Sequence, residues 1–339
     1  MEKLTIKDIA RMANVSPASV SRVINNIPYG ISEDTRKRVA AIIKESGYQP
    51  NTVARSMVTK RSTTIGLLVP DITNQFYALL VKGVEDIATR RGYSVVLCNS
   101  NNNDEKEFRN LSFLKENYVA GIIYNNFKMI DKIRKVLEDI HVPVIYVDNI
   151  ENVKDAFSLH VRQKEGMAMM TRYLLEMGHT KFAYLAGPEE VLSASQRLEG
   201  FREVLEEKGI RIPESFIKSC EYSENGGYEA AKELMGEKKE FTCLVCANDL
   251  IAYGATRLFN ERGIRIPQDI SVTGFDDIPF SKLLNPALTT VYNPVQDMGR
   301  RAAELLLECL EGKHEGEKGD IPFEPVLVKR ESVRFMGEW

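Results

Sequence analysis

Arg22 is the side chain in the first sixty residues best placed for specific recognition. It shares the outward side of a short segment with Ala18, Ser19, Asn25 and Asn26. A guanidinium among small polar neighbours can reach the O6/N7 edge of a guanine in a major groove. Further along, acids and amides follow short apolar runs: Asp71 and Asn74, Asp148-Asn149, Asn248-Asp249 and Asp276-Asp277. Each alone reads as a helix cap, the commoner role of Asp or Asn after a strand. Together, and joined by Arg197, they form a rim of bidentate acceptors and donors for a polyhydroxyl ligand. Catalysis finds no comparable set. His141, His160, His179 and His314 pair with no Ser or Cys nucleophile and lack metal-like spacing.

The five cysteines, Cys98, Cys220, Cys243, Cys246 and Cys309, are scattered. Only Cys243 and Cys246 make a C-x-x-C, inside a run that reads as a buried strand, whose alternation sends the two thiols to opposite faces. A zinc or redox site needs a second ligand pair or a helix start. No G-x-G-x-x-G or G-x-x-x-x-G-K-[ST] opens a helix. The residues therefore predict no cofactor, no metal and no enzyme.

The elements that must carry Arg22 are legible around it. Thr5 caps a helix with Asp8 three residues on, and Ile6, Ile9, Ala10 and Ala13 share one face. The helix stops near Asn14, which tolerates a left-handed turn, and Val15 plugs the turn. Ser16 caps a second helix with Pro17 at its first position. Val20, Val23 and Ile24 face inward. A third helix runs from Ser32 through Val39, Ile42 and Ile43 to Gly47. Two short helices on so tight a turn read as a helix-turn-helix. Asn51 can cap a further helix of about seven residues, too short to persist alone, and its tip Met57 suits a wedge in a minor-groove base step. A plain linker is the alternative for that segment.

The acids and amides sit on a different scaffold. Strands at Ile65–Val69, Ser94–Leu97, 121–124 and Val144–Val147 alternate with helices at 76–90, 105–117 and 130–140. The pattern restarts with strands at Phe182–Ala186, 216–220, 243–247 and 270–274 and helices at 194–207, 226–235 and 250–262. This is a doubly wound parallel α/β arrangement in two lobes, with a ligand expected near the carboxyl ends of the strands.

Charge divides the chain in the same place. The first 61 residues carry eleven Lys/Arg against five Asp/Glu, a balance of +6, while the net charge of the 339 residues is −3, leaving −9 for the remainder. A basic head on an acidic body points to a polyanion partner for the head. No apolar run approaches the roughly 18 residues of a membrane span, and the first residues hold no apolar stretch for a signal peptide, so a cytoplasmic protein is expected.

The sequence resembles the lactose-repressor/galactose-repressor (LacI/GalR) family of bacterial regulators over essentially its whole length. The matching stretches include Thr5-Ile6-Lys7-Asp8-Ile9-Ala10, Val15-Ser16-Pro17-Ala18-Ser19-Val20-Ser21-Arg22-Val23-Ile24-Asn25, Gly47-Tyr48-Gln49-Pro50-Asn51, Gln196-Arg197-Leu198-Glu199-Gly200-Phe201, Ala247-Asn248-Asp249, Gly274-Phe275-Asp276-Asp277 and Leu288-Thr289-Thr290-Val291. The resemblance implies an all-α DNA-binding headpiece at 1–47, a hinge helix at 48–61 and a two-lobed, periplasmic-binding-protein-like domain of doubly wound parallel sheets at 62–339. Three crossovers would join the lobes, the first taking about 62–159 and 294–320 and the second about 160–293 and 321–339. It implies a dimeric repressor of carbohydrate-metabolism genes on a palindromic operator, controlled allosterically by a small sugar-like effector. DNA contacts would fall on Thr5, Ser16, Pro17, Ala18, Ser19, Ser21, Arg22, Asn25, Asn51, Ala54, Arg55 and Met57. Effector contacts would fall on Asn74, Phe76, Tyr77, Asp148, Arg197, Tyr222, Asn248, Asp276 and Asn293.

Three departures qualify the resemblance. Met57 stands where the family usually has leucine. Arg162-Gln163 stands where many relatives carry Asp-Asn, so that corner is not carried over. The tail to Trp339 shows no heptad array, which favours a dimer. A solute-binding transport component is the reading from another class, and it would need a signal peptide and no headpiece. Within the family, regulators that answer to a co-repressor or a phosphocarrier co-regulator are the alternative to an inducible one.

Overall fold

The structure is a computed structural model that describes residues 4–24, 26–48, 62–126, 129–148, 155–236, 240–313 and 318–337. The chain divides into two compact units, Met1–Ser62 and Thr63–Trp339.

The first unit holds α1 (Ile6–Met12), α2 (Pro17–Ile24) and α3 (Glu33–Ser46). The Thr5 backbone N–H and hydroxyl both donate to Asp8 Oδ2, at 3.0 and 2.6 Å, which fixes the entry to α1. Asn14 takes φ 48 in the turn, as its short amide side chain permits. Ser16 Oγ accepts from Ser19 N–H at 3.1 Å to start α2, and Ser32 Oγ accepts from Thr35 N–H at 3.3 Å to start α3. Ile9, Ala10, Ala13, Val20, Val23 and Val39 form the small core, with Val15, Ile42 and Ile43 half-buried against it.

The second unit is built on two parallel sheets. The six-stranded sheet contains β1 (Thr64–Val69), β2 (Ser94–Asn99), β3 (Ile122–Tyr124), β4 (Val144–Val147), β5 (Phe157–Val161) and β11 (Asp320–Phe323), in the order β11-β5-β4-β3-β1-β2. The four-stranded sheet contains β6 (Phe182–Ala186), β7 (Ile217–Ser219), β8 (Cys243–Cys246) and β9 (Ser271–Thr273), in the order β7-β6-β8-β9. The antiparallel pair β10 (Thr290–Tyr292) and β12 (Val326–Val328) follows β9 in sequence and flanks β11.

Both faces of the first sheet are covered, so its strands read as continuous apolar runs. Leu67 and Ile123 face the core under α4 (Gln75–Arg90) and α11 (Val295–Leu310). Leu68, Ile122 and Tyr124 face the core under α5 (Asp104–Glu116) and α6 (Asp131–Glu138). The second sheet is wrapped by α7 (Gln163–Glu176), α8 (Leu192–Glu207), α9 (Glu224–Gly236) and α10 (Asp249–Glu261). Cys243 and Cys246 are fully buried there, and burial pushes both thiols up.

The expected lobe boundaries need adjustment. The cuts at 159/160 and 320/321 fall inside β5 and β11, each of which is hydrogen-bonded along its length into the six-stranded sheet. The crossings therefore lie beyond Val161 and Phe323. After the third crossing the tail stays with the second lobe: Val272 N–H donates to Ser332 O at 3.0 Å and Val333 joins that core.

Candidate functional site

Parallel strands all end on one side, and the residues that follow them converge where the two lobes face each other. Asn74, Phe76, Tyr77 and Asp148 come from the first lobe and Ser193, Arg197, Tyr222, Asn248 and Asp276 from the second. The cleft these nine residues line narrows to about 20 Å³, little more than one water needs.

Two of the residues serve twice. Asn74 Oδ1 accepts from Phe76 N–H at 3.0 Å and caps α4, and Asn248 Oδ1 accepts from Ile251 N–H at 2.9 Å and caps α10. The capping role and the cleft role coincide because a helix follows each of these strands at the same edge. Phe76 and Tyr77 stack edge to face, 5.1 Å between centroids. The Tyr222 ring lies against Gly187, where any Cβ would come within 2.4 Å of Cζ. Its hydroxyl lies near Ser193, and burial pushes its pKa up to about 12.

Arg197 organises the rest. Nη2 donates to Asp276 Oδ1 at 2.9 Å, Nη1 to the Ala247 carbonyl at 2.6 Å and Nε to Gln163 Oε1 at 2.8 Å. Its Cζ stands 3.8 Å from the centroid of the Phe275 ring. Gln163 Nε2 then donates to Asp148 Oδ1 at 3.1 Å, so an unbroken chain of polar contacts crosses from one lobe to the other. Burial raises the Asp276 carboxyl to about 6, against the opposing pull of Arg197, and the Asp148 charge adds to the rise.

The neighbouring acids are used elsewhere. Asp249 is fully buried and accepts from Thr290 Oγ1 at 2.6 Å, Ile278 N–H at 2.9 Å and Ser281 Oγ at 2.5 Å. Burial, with the Asp276 charge, raises it to about 7. Asp277 pairs with Arg330 at 2.7 Å, and Asp71 holds Thr73 in a turn. Asn293 stands behind the wall rather than on it, donating from Nδ2 to Asp276 Oδ1 at 3.4 Å. Gln163 and Ser193 were not expected at the site. Ser193 carries the signal of i,i+4 spacing from Arg197 on one helix face, and Gln163 opens a helix that follows an unrecognised strand.

A larger cavity of about 760 Å³ opens near the start of β4 and β5, among Arg134, His141, Tyr146 and Cys309. It lies at the wrong end of a parallel sheet for ligand binding, and the described residues gather no comparable polar network there. Among the described residues no group of three or more His, Cys, Asp or Glu could hold a metal ion, and no helix is long and apolar enough to cross a membrane.

In the first unit, Pro17, Ala18 and Arg22 are exposed on α2, with Ser19 and Ser21 half-buried. Arg22 Nη1 donates to Gly30 O at 3.2 Å across the loop after α2. Thr5 and Ser16 spend hydroxyl contacts on their helix starts, so they place α1 and α2 as well as facing outward. Tyr29, 74 % exposed beside Gly30, is an aromatic the sequence did not single out. Asn25, Asn51, Ala54, Arg55 and Met57 lie outside the described residues.

Two family models match the chain: bacterial regulatory proteins, lacI family, over residues 5–51, and periplasmic binding protein-like domain over residues 171–333. The transcriptional regulator RegA of Clostridium saccharobutylicum is 36% identical over 330 residues, 97% of this chain and 99% of its own. The lac repressor dimer bound to operator and an anti-inducer superposes with a TM-score of 0.88 at 28% identity, covering 98% of this chain and 100% of that one. The complex of the regulator CelR with cellobiose superposes with a TM-score of 0.74 at 29% identity, covering 97% and 99%.

Proposed function

Since the chain belongs to the lacI family of bacterial regulatory proteins, and is a DNA-binding transcriptional regulator, we propose that it represses carbohydrate-metabolism genes as a dimer on a palindromic operator, released by a sugar-like effector held between its lobes. The observation that carries this reading is the polar chain Asp148–Gln163–Arg197–Asp276, which links the lobes where the strands end. Carboxylates that accept and a guanidinium that donates are the groups that fix hydroxyls, and Phe76 and Tyr222 offer apolar surface to a sugar face. The cellobiose found with CelR supports the same class.

In this reading the headpiece spans residues 1–47, the hinge 48–61 and the sensing domain the rest. Thr5, Ser16, Pro17, Ala18, Ser19, Ser21, Arg22 and Asn25 meet the major groove, with Arg22 on a guanine. Asn51, Ala54, Arg55 and Met57 belong to the hinge contact. Asn74, Phe76, Tyr77, Asp148, Arg197, Tyr222, Asn248 and Asp276 take the effector, and Asn293 supports Asp276 from behind.

A gel-shift titration of the full-length protein on its operator, with and without candidate sugars, tests the proposal. An inducer loosens the complex, and a co-repressor tightens it. A phosphocarrier protein added as a third arm would move the sensing step to a protein surface if binding rose only in its presence. Operator affinity indifferent to every small molecule would sink the effector reading.

A further inference from the structure

Gln163 is the first residue of α7, directly after the chain leaves β5 for the second lobe. It is 3 % exposed, and both halves of its amide are engaged. Nε2 donates across the lobes to Asp148 Oδ1, and Oε1 accepts from Arg197 Nε. That second contact, with those to Ala247 O and Asp276 and the Phe275 ring beneath, leaves the guanidinium one fixed orientation.

The charge count follows from the same contacts. The described cleft lining holds two carboxylates, Asp148 and Asp276, against one guanidinium, Arg197, which is already paired with Asp276. The residue wired between them is neutral. All four are nearly out of contact with water, where charges are little screened. An anionic ligand would set a third negative charge against a single paired cation. A ligand of hydroxyl groups would donate to carboxylate oxygens and accept from the guanidinium without adding charge.

We infer that Gln163 is a specificity-determining residue of this cleft: its neutral amide, tying Asp148 to Arg197, restricts the effector to uncharged polyhydroxyl compounds and excludes phosphorylated or carboxylated ones. The inference rests on the cleft being the effector site, as proposed above.

Calorimetric titration of the full-length protein with neutral mono- and disaccharides, and with the phosphate ester of each, tests it. The tightest ligand is expected to be uncharged, and its phosphate ester at least tenfold weaker. Gln163→Lys, which adds a second cation, narrows that ratio by tenfold or more. Gln163→Met keeps the volume, loses both hydrogen bonds and weakens both ligands while leaving their ratio as it was. A ratio unmoved in Gln163→Lys would reduce Gln163 to a packing role and overturn the inference. If that variant does not fold, the wild-type ratio decides alone. A tightest ligand bearing phosphate or carboxylate, with binding lost in Asp276→Ala, overturns the inference but keeps the cleft as effector site. Binding that survives Asp276→Ala overturns both.

Discussion

Asp276 sits at φ 106, a backbone region that costs an L residue about 1–3 kcal/mol. Arg330 clamps the adjacent Asp277, and Asn293 and Arg197 hold the Asp276 carboxyl, so the strain is paid to aim one carboxylate into the cleft. Asp276→Ala should abolish the effector response with operator binding intact. It should also lower stability by about 3 kcal/mol, because Arg197 loses its buried counter-ion; a urea melt and a sugar titration read the two effects separately. Asp249, raised to about 7, makes a second prediction. The folded state keeps that proton while the unfolded chain releases it near pH 4, so its contribution to stability falls as pH rises through roughly 4 to 7. Asp249→Asn should flatten this slope by about 2–4 kcal/mol across the window. An identical pH profile in both proteins would show that Asp249 is ionised throughout. On the DNA side, Arg22→Ala should relax discrimination at one guanine by about 1–3 kcal/mol. Equal weakening on all sequences would assign Arg22 to the phosphate backbone instead.

Helix contacts set how rigidly these residues are held. A Cβ on Gly83 of α4 would lie 2.1 Å from the Gln296 carbonyl of α11, and one on Gly299 of α11 would lie 2.4 Å from Leu80 O. Gly83→Ala must therefore push the two helices apart, for an expected loss of about 1–3 kcal/mol, seen as a lower denaturant midpoint at unchanged slope. A midpoint within error of wild type would mean that the pair yields without cost. This helix pair also shows where elements escape a reading along the chain. α4 follows β1 with a clear apolar period, so its position was legible. α11 packs beside it on the first sheet yet comes after the second-lobe strands, so the family resemblance, which gave 294–320 to the first lobe, placed it rather than its neighbours in the chain. β5 carries Ser158 and His160 within its apolar run, and β11 carries Pro322, so neither looks like a sheet strand alone.

At the scale of the molecule, the cleft is assembled by contacts that sequence order separates. Asp148, Asn248 and Asp276 were legible as polar residues at strand ends, because parallel sheets deliver such residues to one edge. Phe76 and Tyr77 stood out only as the pair following Asn74, while Tyr222 and Asn293 had no local signal of their own and came only with the family resemblance. Gln163 was marked only as a corner where the chain departs from the family, and its role exists only when Asp148 and Arg197, 15 and 34 residues away, meet it. With about 20 Å³ between the walls, a sugar enters only by moving side chains or parting the lobes, and the bond between Asp148 and Gln163 is one that crosses between them. If that opening is what alters the grip on DNA, the coupling is an equilibrium property and must be reciprocal. An effector that weakens operator binding by some factor, typically about 5–150, must itself bind more weakly by the same factor when operator is present. Sugar affinity measured by calorimetry with and without saturating operator duplex, set beside operator affinity with and without sugar, gives the two factors independently. Equal factors show that the release is an equilibrium coupling between the sugar and operator sites. A sugar affinity that operator leaves unchanged, in a protein the sugar still releases, would place the release outside the equilibrium between the lobes.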